Sequence, residues 1–223
     1  MANAVEKVSG IAIADIEKII GRTDDNIEKI SGLEFTGVTE AHTLISTHTA
    51  DGSSTSIDIT SGIDSTYDVY EFIYTNIHLQ SDGERLQFQF NADGGSGFNE
   101  NMTTTAFLAS HGEDDSGGAL AYQGDFSMDQ AGTDARDQPL GVGIGADADQ
   151  SISGVLTLYA PSSTTYVKHF MARSVHPQNG DEARDMYVAG YINTTSAIDE
   201  ISFRTNTGNI DAGVIKMYGL AKS

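Results

Sequence analysis

The sequence predicts an all-β protein, an antiparallel two-sheet β-sandwich of jelly-roll-like form carried behind a repetitive N-terminal segment. Three observations predict it. A pentad recurs every eleven residues within the first three dozen positions. Beyond it, short apolar stretches are separated by Gly, Asp, Asn and Ser clusters, and no amphipathic helix of ordinary length interrupts them.

The repeat comes first because fixed spacing sets architecture. Glu6-Lys7-Val8-Ser9-Gly10, Glu17-Lys18-Ile19-Ile20-Gly21 and Glu28-Lys29-Ile30-Ser31-Gly32 are its three copies. Two structures fit. Val5, Val8, Ala12, Ile16, Ile19, Thr23, Ile27 and Ile30 follow a 3-4-4 spacing that a slightly right-handed helical coil would use. Yet each copy ends in Gly, which costs a helix roughly 1 kcal/mol per position. Extended segments closed by a turn at Gly suit the Val and Ile content better. Neither form buries enough surface alone, so residues 1–35 are expected to be an anchor and oligomerisation segment, with 36–223 as the sandwich. Val5, Val8, Ile16, Ile19, Ile27 and Ile30 are its expected partner contacts.

The strands follow in order. Leu44–Thr47 and Ser56–Ile59 open the series. Val69–Leu79 is apolar on both faces, which predicts a central strand. Arg85–Asn91 alternates Leu86, Phe88 and Phe90 against Arg85, Gln87, Gln89 and Asn91, which predicts a half-buried one. Thr105–Ala109, Leu120–Met128, Ile152–Tyr159, Tyr166–Arg173, Met186–Ile192, Ile198–Arg204 and Val214–Leu220 complete the set. Ser81-Asp82-Gly83, Asp93-Gly94-Gly95-Ser96-Gly97, Gln178-Asn179-Gly180-Asp181 and Asn206-Thr207-Gly208-Asn209 supply turns.

Composition narrows the function. Twelve Lys and Arg against 32 Asp and Glu give a formal charge of −20, which repels phosphate backbones and argues against nucleic-acid binding. Such acidity keeps crowded copies soluble and suits a salty medium. The absence of cysteine removes disulfides, thiolate metal sites and a cysteine nucleophile, and the absence of tryptophan removes the commonest sugar-stacking platform. No apolar run reaches membrane-span length, and Met1–Lys7 lacks a signal-peptide pattern, so synthesis as a soluble cytoplasmic chain without membrane insertion is expected.

Candidate chemistry is thin. His42, His48, His78, His111, His169 and His176 form no His-x-x-x-His pair. His111 beside Glu113, Asp114 and Asp115 reads as an acidic exposed loop before it reads as a metal or acid–base cluster. No cofactor is expected; calcium is a candidate only at Asp114-Asp115 and Asp147-Ala148-Asp149, neither of which has the EF-hand pattern. Gly141-Val142-Gly143-Ile144-Gly145 lacks the helix and the Lys-Ser/Thr pair of a phosphate loop, so it reads as a Gly-rich strand or bend. No catalytic residues are assigned, and the protein is expected not to be an enzyme.

Ile198-Asp199-Glu200-Ile201-Ser202-Phe203-Arg204 with Thr207–Leu220, and Tyr70-Glu71-Phe72 through Asp93-Gly94-Gly95, resemble stretches of β-sandwich virion proteins of tailed bacteriophages. The Glu-Lys-Ile-Ser-Gly copies resemble N-terminal segments of proteins from phages of marine cyanobacteria. The resemblance implies a non-enzymatic structural protein of the virion surface, as head decoration or fibre or as tail or collar fibre, assembled in the host bacterial cytoplasm. It also implies a homotrimer whose partners are itself and other virion proteins. The alternative is a lectin-like module for host adsorption, with Tyr122, Tyr159, Tyr166, Tyr187 and Tyr191 as stacking candidates, most of them expected in the core or at subunit contacts.

Overall fold

A computed structural model of the chain describes residues 42–220 except 126, 127 and 134, and before them the backbone of six two-residue strands. The chain divides into two compact units, Met1–Ala41 and His42–Ser223.

In the first unit the repeat is realised as three antiparallel pairs. β1 (Lys7–Val8) pairs with β2 (Ile11–Ala12), β3 (Lys18–Ile19) with β4 (Arg22–Thr23), and β5 (Lys29–Ile30) with β6 (Leu33–Glu34). The register is the same each time: Val8 faces Ile11, Ile19 faces Arg22, and Ile30 faces Leu33. Two residues therefore separate the strands of each pair, the second always Gly, which is the connection a tight hairpin requires. Where the backbone is described it is paired strand, so the extended reading replaces the helical one. Those connecting residues, with Val5, Ile16 and Ile27, lie outside the described residues.

The second unit contains β7 (His42–Thr49), β8 (Ser56–Ile59), β9 (Val69–Leu79), β10 (Glu84–Ala92), β11 (Met102–Gly112) and β12 (Gly118–Tyr122). It continues with β13 (Gln138–Ile144), β14 (Ile152–Tyr159), β15 (Lys168–Gln178), β16 (Glu182–Ile192), β17 (Ile198–Thr205) and β18 (Ile210–Leu220). All pair antiparallel in one twelve-stranded sheet. Eight of them form a long ladder in the order β7-β18-β9-β14-β15-β16-β11-β12, and four form a short one, β13-β10-β17-β8. A single pair, Ile144 with Gln178, ties one ladder to the other.

The sheet folds back on itself. Phe72 and Tyr74 of the long ladder meet Phe203 of the short one at 5.9 and 6.2 Å between ring centroids, and Phe170 meets Phe88 and Phe90 at 5.3 and 5.7 Å. Such tilted and edge-on contacts are the favoured aromatic geometries. The outermost strands β7 and β8 are joined by residues 50–55. There Ala50 N–H donates to Gly213 O, while Ser54 O and Thr55 O accept from Ile210 and Thr205. The sheet is thereby nearly closed into a barrel around one continuous core.

Packing explains one glycine of that closure. At Gly154 of β14, any Cβ would strike Arg173 O and lie 2.6 Å from Tyr74 Oη, so only glycine lets the inward Tyr74 reach Ser174. Burial also raises the Tyr74 phenol pKa, because its hydroxyl has no water to receive a charge.

Two face assignments need correction. β9 is central by its pairing with β14 and β18, but only its Tyr70-Phe72-Tyr74 face is buried; Ile73 and Thr75 look outward and are exposed. β10, expected to be half-buried, is covered on both faces. Its Gln89 amide donates to Glu100 O at 3.2 Å and Arg136 O at 2.9 Å, so two connections lie across the polar face and satisfy it. Pattern alone could not show this, because loops rather than a sheet do the covering.

Boundaries differ less. β12 stops at Tyr122 rather than Met128, because the chain turns inward there. Met128 and Gln130 leave the strand to pack beside Thr104, whose backbone N–H donates to Gln130 O at 3.0 Å. The run from Tyr166 begins as strand only at Lys168 but continues through Pro177 to Gln178. Gly141 and Gly143 lie in β13, as a Gly-rich strand. Since the second unit holds its own core, deleting residues 1–33 should leave a cooperative urea transition followed by circular dichroism; insoluble or molten material would mean a shared core.

Candidate functional site

The histidines are dispersed. His42 pairs with Glu71 at 3.3 Å, His78 with Asp211 at 3.5 Å, and His111 with Asp115 at 3.5 Å. His169 sits edge-on to Tyr191 at 6.3 Å, and His48 bonds Ser46 Oγ at 3.0 Å with its pKa lowered by burial. Among the described residues no three His, Asp or Glu side chains gather as a metal site. Of the carboxylates considered for calcium, Asp114 serves its own turn, accepting from the Ser116 side chain and from Ser116 N–H at 2.9 Å, which lowers its pKa; at Asp147 it is the backbone N–H that is engaged, donating to Gln150 Oε1 at 3.1 Å.

His176 was no candidate, yet it is the most perturbed histidine. It lies inward on β15, 1% exposed, with Nε2 donating to Val142 O at 3.1 Å. Burial, aided by the Arg184 guanidinium, pushes its pKa down to about 4 against the opposing pull of that carbonyl. Its Nδ1 has no hydrogen-bond partner in the structure. Lys168 was likewise missed. Fully buried, its Nζ donates to Ser163 O, Tyr166 O and Thr194 O at 2.9, 3.2 and 3.1 Å, and desolvation lowers its pKa while Glu100 opposes the shift. Both groups hold the fold rather than meet a substrate. Each lies at an even position of a strand whose even positions face inward, but polar residues on that face hide the alternation.

An open polar cleft of about 370 Å³ occupies the seam between β7 and β8, lined by Thr47, His48, Thr49, Asp51, Ser54 and Ser56 among others. Its side chains are short and mostly hydroxylic, and none is buried there without a partner.

The outward face of the long ladder is different. Across it, register aligns Tyr122, Phe107, Tyr187, Arg173, Val155, Ile73 and Lys216 in one row. Phe107 and Tyr187 stack at 4.6 Å with planes 9° apart, and the Arg173 guanidinium lies over the Tyr187 ring, 4.9 Å from its centroid. Arg173 also makes a bidentate pair with Asp185, at 3.0 and 2.9 Å, which lowers the Asp185 pKa. Of the tyrosines expected in the core or at subunit contacts, none of these four is in the core: Tyr187 and Tyr191 point outward, Tyr159 reaches Met171 Sδ at 3.8 Å, and Tyr122 is 60% exposed. Tyr166, 72% exposed, precedes β15.

Of the anchor residues, Val8, Ile19 and Ile30 end β1, β3 and β5. Among the described residues no helix is long and apolar enough to cross a membrane. No family model, no curated protein and no solved structure matches this chain.

Proposed function

We propose that the chain is a non-enzymatic structural protein of a tailed-phage particle, held by its N-terminal repeats and projecting its acidic β unit from the surface. The observation that carries this reading is the uniform repeat: three hairpins of one register, too small to hold a core of their own, precede a unit that has one. Segments of that kind gain stability only from a neighbour. The resemblance of the sequence to virion proteins supplies the kind of neighbour, namely other virion proteins and sister copies, three in the homotrimer it implies. We read the two ladders as a two-sheet sandwich of jelly-roll kind, since the chain crosses between them at most of its connections.

The test is incorporation. Ile19→Asp combined with Ile30→Asp places a charge in two equivalent hairpins and alters nothing beyond residue 41. At Ile30, which faces Leu33, burying an unpaired charge costs several kcal/mol, and at Ile19, which faces Arg22, the change replaces an apolar contact with a charged one. The variant should be lost from assembled particles, counted by mass spectrometry, while its circular dichroism stays unchanged. Normal incorporation would mean that attachment lies elsewhere. The glycan-binding alternative retains Tyr122 and Tyr166 as exposed rings, while Tyr187 is already covered by Phe107 and Arg173; host-glycan array binding lost in a Tyr122→Ala variant would favour it.

A further inference from the structure

We infer that the outward face of the long ladder, centred on Phe107, Met171 and Tyr187, packs against a second copy of this chain; the inference rests on the self-association in the reading above and assigns it a surface. The first observation is where apolar side chains are exposed. Among the described residues nine large hydrophobic side chains are exposed, and all but Tyr166 lie on this one face or its edge strand, among them Leu120 at 73%, Val175 at 57% and Met171 at 56%. Contiguous apolar exposure beyond a few hundred Å² marks an interaction site.

The second observation is charge. In a chain of formal charge −20, the charged side chains that the register turns outward across the middle of the ladder are Glu71, Asp185, Arg173 and Lys216, which sum to zero, and Asp211 at the ladder's end is paired with His78. Arg173 and Asp185 already neutralise each other within the face. A sister copy carries a net excess of acid, so this neutral face is the one that such a copy approaches with the least repulsion. A cationic partner would call for an acidic face, and a stacked sugar would call for free ring faces, which Tyr187 does not offer.

The third is size. Eight strands about 4.8 Å apart span roughly 34 Å, and strands of this length run roughly 30 Å. The product, about 1,000 Å², exceeds the ~800 Å² that each partner buries in an ordinary stable interface. The edge strand β12 adds to the case: all five of its residues are exposed, none is charged, and only β11 pairs with it. Natural sheets usually protect such an edge.

Because the chain has no cysteine, one can be placed where it reports coverage. Full-length Met171→Cys and Thr207→Cys variants would be mixed with a maleimide, with light scattering on the same samples. Thr207 is an exposed position on the β17–β18 turn. The expected result is a mass that is a multiple of 23.7 kDa, with Met171→Cys labelled at least about tenfold more slowly than Thr207→Cys until dilution separates the copies. Equal labelling in an assembled protein would overturn the inference and leave the assembly to the repeats. A monodisperse monomer at all concentrations would overturn it together with the self-association. Neither result touches whether the protein is found in the particle, which the incorporation assay reads separately.

Discussion

Replacing Lys168 with methionine is expected to destabilise the β unit by about 3 kcal/mol, measured from urea midpoints at constant slope. The stem would still fill its buried space, but Ser163 O, Tyr166 O and Thr194 O would lose their donor. A carbonyl left without its donor costs about 1–3 kcal/mol when buried and less where, as at these turns, it is only partly so, and the loss is offset in part by no longer desolvating an ammonium. The loss should be local before it is global. Hydrogen exchange at residues 162–166 and 193–196 should rise first, because Nζ is what joins those two turns. Lys168→Arg is not a neutral control, since a planar fork cannot reproduce three converging carbonyl contacts. A loss below about 1 kcal/mol would mean that the carbonyls find water or other donors.

Acidification should weaken the protein well above the pH at which its carboxylates titrate. His176 has a folded-state pKa of about 4 against an ordinary value of 6.5, so the folded form resists a proton that the unfolded chain accepts. A depressed histidine contributes stability that is intact above pH 6.5 and is lost as pH falls toward 4. The difference of two to three pH units corresponds to about 3 kcal/mol. Other groups contribute with their own signs. Asp137 and Asp199, raised by burial, take up protons earlier in the folded state and offset part of the loss on acidification. Asp185, held low by its hydrogen bonds with Arg173, contributes stability that is present above the ordinary aspartate range and is lost only as pH falls below it. Comparison with a His176→Met variant isolates the histidine. Wild type should lose about 3 kcal/mol more than the variant between pH 6.5 and 4, and parallel curves would remove histidine burial as the cause.

Much of this fold was legible because strand propensity and turn chemistry agree. Ser56–Ile59, Val69–Leu79 and Ile152–Tyr159 fall at the expected bounds, each flanked by turn-forming residues. What misled was the assumption that apolar means inward. β15 inverts it: Lys168, Ser174 and His176 face the core, while Met171 and Val175 face out. The pattern fails there because the outward face is itself apolar and the inward polar groups find backbone carbonyls or, for Ser174, the Tyr74 hydroxyl. β10 failed for the complementary reason, since its polar face is roofed by connections distant in sequence. The repeat was legible as a period, and its pairing follows from glycine at the same place in each copy. The row of Phe107, Tyr187 and Arg173 had no signal in the sequence, because three separate strands contribute it and only register brings them together.

The hairpins of the first unit have one more property. Each satisfies its ladder hydrogen bonds within its own span, and the next begins in the same phase eleven residues later. Removing or duplicating a whole copy would therefore change the reach of the segment while leaving every remaining pair in place. An insertion of any other length would fall between hairpins or split one. Such a segment can be lengthened or shortened in whole steps, like links in a chain, with the unit behind it untouched.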